Sequence, residues 1–403
     1  MGRRSEARAY WMGAVTLLTA VGCTDGGGAS GGLEREDLEL LAEPADVRAP
    51  AVSTMALDIS LTPVALEVGD FDGDGNIDLL VAGIEPGVGV AAAMYLGNGD
   101  GTFADAFDPG FSGCSAYPLV GDITGDGRTD VITNGCSDDL AVFEAQADGS
   151  LLPWDAWPAI EYGPVMGSVV TDFEGDGDGD LISLRMPDAA VLDLTLGNGG
   201  HGVWGVETST IGTPDWSGFS PVSLSTGHFN ADGIVDVVLL DREHDVAMLQ
   251  GVPPANFAFP RELGVDVAPW SVRTGDLDDD GLTDLVVSSY SHAEVQVLRV
   301  SGASGGFVSV SPVSLEDFTP YDTAVGDLDG DGALDVAMVS DELPGVIWLT
   351  GDGSGALDLT DRFNLPSPAI RVHIRDIDDD GVGDIIAATF DDASITVVTG
   401  VGT

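Results

Sequence analysis

From about residue 51 onward the chain alternates short apolar runs with acidic, glycine-rich turns, and the alternation keeps one frame. A short strand-like run such as Val64–Val68 leads into an acidic turn, and a nearly continuous apolar run follows it: Asp78 to Ala82, Asp130 to Thr133, Asp180 to Leu184, Asp236 to Leu240, Asp284 to Ser288, Asp335 to Val339 and Asp384 to Thr389. Runs of this length without polar alternation fit strands buried on both faces. A few polar residues then lead to a third apolar run, such as Val346 to Thr350. A Gly/Asn/Asp turn such as Gly97 to Gly101 leads to a fourth, beginning Thr102-Phe103. No helical periodicity interrupts the repeats.

The turns open at residues 70, 122, 172, 228, 276, 327 and 376, at intervals of 52, 50, 56, 48, 51 and 49. A period near fifty marks a closed or stacked repeat array. Seven repeats of four antiparallel strands predict an all-β fold, a seven-bladed β-propeller over residues 51–403. The seventh repeat stops after its third run, Ile395 to Thr399, while Val52 to Ser60 precedes the first repeat unassigned. That stretch is expected to join blade seven as its outer strand and close the ring, leaving no unpaired edge at the seam.

The full turn places acids at positions one, three, five and nine and Gly at position six. In such a tight turn alternate side chains converge, and a main-chain carbonyl at position seven can join them. Hard cations such as Ca²⁺ take six to eight oxygens in this way. The first turn offers Asp70, Asp72, Asp74, Asn76 (through its carbonyl) and Asp78. The fifth offers Asp276, Asp278, Asp280, Leu282 and Asp284. The sixth offers Asp327, Asp329, Asp331, Ala333 and Asp335, and the seventh Asp376, Asp378, Asp380, Val382 and Asp384. These four keep all four Asp. The third substitutes one, with Asp172, Glu174, Asp176, Asp178 and Asp180. The second is weaker, with Thr124 among Asp122, Asp126, Arg128 and Asp130. The fourth has His228 and Asn230 ahead of Asp232 and Asp236 and is expected to bind weakly or not at all. About four to six Ca²⁺ sites follow. Mg²⁺ is disfavoured because it demands a rigid octahedron and holds its waters. The same residues also make ordinary Asx turns, so a single copy would carry little weight.

The formal net charge is -54, all 14 basic residues are Arg, and seven Ca²⁺ would leave -54 + 14 = -40. Such a surface repels nucleic acid and anionic membranes. Arg3, Arg4 and Arg8 precede an apolar run from Tyr10 to Val21, the shape of a signal peptide and too short to span a bilayer. At Ala20-Val21-Gly22-Cys23 the chain resembles a bacterial lipoprotein signal. This implies residues 1–22 as signal peptide, lipidated Cys23, and residues 23–50 as a flexible linker, at the outer membrane or cell surface; secretion with Cys23 unmodified is the alternative. Cys114 and Cys136 flank the second turn and can pair in an oxidising compartment, or remain core thiols.

With the DxDxDGxxD turns and Leu96 to Phe103 (LGNGDGTF), the chain is similar to the bacterial FG-GAP/VCBS repeat proteins, whose propeller resembles the integrin α head. The resemblance implies Ca²⁺ in the first hairpin of each blade, and binding or adhesion rather than catalysis. The ligand face would be the one opposite the acidic turns. There the inter-blade links gather Trp154, Trp157, Tyr162, Trp216 and Trp270, which either anchor a ligand or cap the blade cores. The partner class is an extracellular protein or glycan, met by a monomer whose only membrane contact is the lipid. An exported enzyme acting on polysaccharide, or a scaffold in an envelope assembly, is the alternative. Catalysis would need a cluster of acid–base groups at the channel. Of five His, only His244 and His292 share a loop class, and no nucleophile elbow, zinc helix or phosphate loop is present.

Overall fold

The computed structural model describes residues 51–56, 61–85, 87–110, 117–134, 140–154, 165–173, 175, 179–185, 191–196, 205–209, 222–241, 246–253, 256–258, 260–302 and 304–399. Its acidic turns set one register seven times. The residue before position one pairs with the Asp at position nine: Gly69 with Asp78, Gly121 with Asp130, Thr171 with Asp180, Gly227 with Asp236, Gly275 with Asp284, Gly326 with Asp335 and Arg375 with Asp384. Each turn is therefore the tip of a hairpin, and each hairpin begins a blade.

Blade six shows the full pattern, with Asp322–Gly326, Asp335–Val339, Val346–Gly351 and Leu357–Phe363 in spatial order. The second strands are the apolar runs of the sequence, and Asp236–Leu240 and Asp335–Val339 are buried throughout. Strands hidden on both faces have no solvent side to carry polar residues, which is why the runs do not alternate.

Blade seven is built as the seam requires. Ala51–Ala56 pairs antiparallel with Ser394–Thr399, from Ala51↔Thr399 to Ala56↔Ser394, and the order is 51–56, 394–399, 384–389, 369–375. The innermost strands touch in a closed cycle: Thr62–Gly69, Leu119–Gly121, Val165–Thr171, Ser223–Gly227, Ser271–Gly275, Asp322–Gly326, Ala369–Arg375 and back to the first. Seven hydrophobic clusters fill the seven gaps between consecutive blades, including Leu66, Val68 and Leu79 against Ile377, Ile386 and Ile395 across the seam. The fold is a seven-bladed propeller.

Blade one departs from the expected four strands. Its outer edge is two isolated bridges, Gly97↔Phe103 and Met94↔Phe107. Phe103 packs on the cluster shared with blade seven and Phe107 on the cluster shared with blade two. Residues four apart on a regular strand point to the same face. These two rings serve opposite faces, so this stretch cannot be one strand.

The glycine before position one lets the blades converge. A Cβ on Gly227 would lie 2.5 Å from Thr283 of the next blade, and one on Gly326 would lie 2.5 Å from Ile374. Backbone hydrogen bonds stitch neighbouring turns at the same level, from Thr129 N to Asp70 O (2.7 Å), Thr283 N to His228 O (2.9 Å) and Gly383 N to Asp327 O (2.7 Å).

Candidate metal centres

In the first turn, Asp70 holds the loop by its backbone: Oδ1 accepts from Gly73 N (2.8 Å) and Asp74 N (3.1 Å), and Oδ2 accepts from Gly75 N (3.0 Å). Position four takes a left-handed conformation, φ 79° at Gly73, and Asp279 and Asp379 take it with φ 53° and 60° in the fifth and seventh turns. Asp is among the few residues that tolerate that region. Position five makes an Asx turn, with Asp74 Oδ1 accepting from Asn76 N at 2.8 Å. The same bond sets Arg128, Leu282, Ala333 and Val382 at position seven against Asp126, Asp280, Asp331 and Asp380.

Position nine is buried and works in two directions. Asp78 Oδ2 accepts from Phe71 N within its own turn (2.8 Å), while Oδ1 accepts from Gly97 N beyond the third strand (2.8 Å). Asp335 repeats this with Leu328 N and Gly351 N, and Asp284 with Leu277 N and Val300 N. The residue bonded inside the turn sits at position two and is a buried apolar plug in every blade: Phe71, Ile123, Phe173, Phe229, Leu277, Leu328 and Ile377. Its alternation with the acids is visible in the sequence, yet a search for ligands alone passes over it.

Four turns bring three carboxylates together with oxygens within 4.8 Å of one another: Asp70, Asp72 and Asp78; Asp276, Asp278 and Asp284; Asp327, Asp329 and Asp335; Asp376, Asp378 and Asp384. These are the four turns that keep Asp at all four positions. Burial, followed by the neighbouring carboxylates, pushes Asp72, Asp329 and Asp378 above the ordinary Asp range. Burial pushes Asp78, Asp284 and Asp335 up to about 6, against the pull of their backbone hydrogen bonds. Asp278 Oδ1 and Asp376 Oδ1 are buried with no hydrogen-bond partner. Crowded anionic oxygens with unmet acceptor capacity fit a hard cation, which supplies the missing charge. The position-five acids Asp74, Asp280, Asp331 and Asp380 stand outside these groups, each with Oδ1 accepting from the position-seven N–H. In the fifth turn, Arg299 Nη1 also donates to Asp278 Oδ2 at 2.9 Å, a contact that nothing in the turn motif announces.

Among the described residues, the second and fourth turns form no such group. In the second, Thr124 is buried with its N–H on Asp130 Oδ2 (3.0 Å), and the Arg128 guanidinium pairs with Asp126 while its Nε donates to Ala145 O (2.7 Å). In the fourth, Asn230 Nδ2 donates to Asp236 Oδ2 at 3.0 Å, and His228 Nδ1 lies 3.2 Å from Ile234 O. A protein donor thus faces the position-nine carboxylate where the intact turns present carboxylates. In the third turn, Asp172 Oδ1 accepts from Gly175 N (2.7 Å) and Asp180 Oδ2 from Phe173 N (2.7 Å), while Glu174, Asp176 and Asp178 lie outside the described residues.

At the opposite end, Trp270 is half-buried against Tyr290 and Tyr321, with ring centroids 4.9 and 5.8 Å away, and its Nε1 donates to Tyr321 O at 2.9 Å. Trp154 packs on the cluster between blades two and three. Trp157, Tyr162, Trp216, His244, Cys23, Cys114 and Cys136 lie outside the described residues. His292 is exposed, its Nδ1 3.0 Å from Ser291 Oγ and 3.2 Å from Ser289 Oγ, with no carboxylate partner among the described residues to form a relay.

The solved structures similar to this one are propellers of low sequence identity. The lectin BP39L from Burkholderia pseudomallei aligns with TM-score 0.63 at 16 % identity, over 84 % of this chain and 97 % of its own. BBS1N, solved in complex with ARL6DN, aligns with TM-score 0.56 at 11 % identity over 87 % and 97 %. A protein from Lactobacillus plantarum aligns with TM-score 0.51 at 19 % identity over 76 % and 85 %. No curated protein matches the chain in sequence. The model of the FG-GAP-like repeat matches residues 70–133, 122–183, 228–287 and 276–338, more than half of the chain, each match running from one acidic turn into the hairpin of the next, so the chain belongs to the FG-GAP-like repeat family.

Proposed function

We propose that this propeller is a calcium-stabilised binding or adhesion module, exported, tethered by a lipid on Cys23 to a bacterial envelope, and meeting a protein or glycan ligand on the face opposite the acidic turns. The observation that carries the reading is the division of labour between the two ends. One end gathers four all-oxygen carboxylate groups suited to Ca²⁺. The other presents half-exposed aromatic rings, Trp270, Tyr290 and Tyr321, at the mouths of blades five and six. Aromatic rings with one polar edge are frequent anchors of protein and sugar ligands. The same fold serves as a lectin in Burkholderia pseudomallei. Extracellular calcium modules bind at roughly 10⁻⁴ to 10⁻³ M, and tenfold excess calcium stabilises the fold by about 1.4 kcal/mol per site.

The test is a glycan array and a pull-down with the full chain. Binding that disappears in Trp154→Ala, Trp157→Ala, Trp216→Ala or Trp270→Ala variants of unchanged melting temperature supports the module. Turnover of a polysaccharide that survives those changes and is lost in His244→Ala or His292→Ala supports the competing enzyme. Crosslinking on intact cells names the partner in either case.

A further inference from the structure

The four groups of three carboxylates are not equivalent. In five blades the N–H that bonds to the position-nine Asp from the end of the third strand is preceded by Leu96, Glu144, Gln250, Arg299 or Thr350. Of these only Arg299 is a cation. Its side chain runs back to the turn of its own blade, where Nη1 donates to Asp278 Oδ2 at 2.9 Å. Position three is engaged differently in the first, sixth and seventh turns. There Asp72, Asp329 and Asp378 accept through Oδ1 from the position-five N–H at 3.1, 3.1 and 3.3 Å. Among the described residues none of these three has a guanidinium at ion-pair distance. In the fifth turn the position-five N–H, that of Asp280, goes to Asp276 Oδ1 at 3.2 Å, and Asp278 Oδ1 is left buried with no hydrogen-bond partner.

Arg299 is held where it is. Gly355, in the turn between the third and fourth strands of blade six, donates its N–H to Leu277 O of the fifth turn at 3.0 Å. A Cβ on Gly355 would lie 2.1 Å from Arg299 Cδ, so the arginine stem runs against bare backbone of the next blade. The side chain is 34 % exposed, and that of Asp278 13 %. Blade five grips the guanidinium at one end and blade six covers the stem. Three carboxylates and one guanidinium give -3 + 1 = -2 in the fifth group, against -3 in each of the other three.

We propose that Arg299 is a fixed counter-charge that sets the calcium affinity of the fifth turn and makes it the exchangeable site among the four. The proposal rests on calcium as the cation of these turns. Ligand charge is one of the quantities that tune a calcium site. Asp278 can serve both partners, Oδ2 facing Arg299 and Oδ1 the ion, so the guanidinium stays in place and acts by repulsion. A unit charge about 6 Å from a divalent ion, the span of a shared carboxylate, weakens its binding roughly tenfold even at the dielectric constant of water. With the ion gone, the guanidinium relieves the repulsion among the same carboxylates. The fifth turn is thus built to release its ion at the least cost to its blade.

Equilibrium dialysis of the calcium-loaded full chain against falling free Ca²⁺, with bound calcium counted per chain, tests the assignment. The wild-type chain should release one ion of the four intact turns at roughly tenfold higher free Ca²⁺ than the other three. Asp278→Asn should lack that early-leaving ion and keep the tightly held ones, which identifies the fifth turn without touching Arg299. Arg299→Gln should hold the same ion down to roughly tenfold lower free Ca²⁺, a gain that the loss of a merely structural contact would not produce. An Arg299→Gln curve that superimposes on that of the wild type overturns the proposal, and so does loss of a tightly held ion in Asp278→Asn; both results leave calcium binding itself standing. A wild-type chain that retains no calcium overturns the proposal together with the calcium-stabilised module on which it rests.

Discussion

The fourth turn separates what holds a blade from what holds a cation. Asp236 occupies position nine there, but its neighbours are Asn230 and His228 in place of carboxylates. Asp236 Oδ2 accepts from Phe229 N (3.1 Å) and Asn230 Nδ2 (3.0 Å), and Oδ1 accepts from Gly251 N (2.8 Å). In Asp236→Ala the two buried backbone N–H groups lose their acceptor, at roughly 1–3 kcal/mol each. Against that, the fold no longer has to bury a carboxylate. Asp236 is raised from 3.8 to about 6 by burial, and two pH units correspond to about 3 kcal/mol at neutral pH. Asn230 Nδ2, also buried, loses the same acceptor, so three donors at roughly 1–3 kcal/mol each less that 3 kcal/mol leave a net loss centred on about 3 kcal/mol.

Urea unfolding at pH 7.5, with calcium and with EDTA, measures that loss. Asp236→Ala should lower the midpoint by the same amount in both solutions. Asp78→Ala in the intact first turn should lower it more with calcium than with EDTA. If Asp236→Ala left the midpoint unchanged, or abolished part of the calcium effect, the separation of tie from ligand would be wrong.

Chelation of the wild-type chain should lower the melting temperature by several degrees, with calorimetry returning at least four Ca²⁺ per chain; no shift and no heat would refute cation binding. Acidification should erode the calcium increment. The raised Asp78, Asp284 and Asp335 protonate as pH falls through about 6. Because their folded values lie above the unfolded one, the metal-free fold gains stability between about 6 and 4 while calcium loses its carboxylates. The calcium-induced rise in melting temperature should therefore shrink between pH 7.5 and 5.5, and a constant rise would contradict the assignment. At the seam, Thr54→Cys with Thr396→Cys sits on directly paired positions. The disulfide should form and raise the melting temperature, up to the roughly 5 kcal/mol expected for closing so long a loop; free thiols in the folded variant would argue against the closing strand.

The fold was legible because the repeat states it seven times. The period fixed the blade count, and the missing fourth run after Thr399 located the closing strand at the other end of the chain. What stayed hidden involves partners that no spacing announces. Phe103 and Phe107 look like one strand until their rings are assigned to different interfaces. Arg299 meets Asp278 through the pairing of strands within blade five. His373 Nε2 and Leu66 O lie 307 positions apart in sequence and meet at 2.7 Å only because the ring closes.

The seven turns also act as variants of one another. Asp at positions five and nine and Gly at position six occur in every copy, while position three varies to Thr124, Glu174 and Asn230 and position one to His228. The constant positions have backbone partners: the acids accept hydrogen bonds from N–H groups of their own blade, in turns with three converging carboxylates and in turns without. Position three needs little beyond a cation to justify a carboxylate, since Asn230 can accept the same N–H, from Asp232 at 2.7 Å. A blade can therefore lose its ion and keep its hairpin, whereas losing the position-nine Asp would remove the bond that ties the turn to the end of the third strand. The chain's acidity has two origins accordingly, one set of carboxylates built into the turns and another whose repulsion only a bound cation relieves.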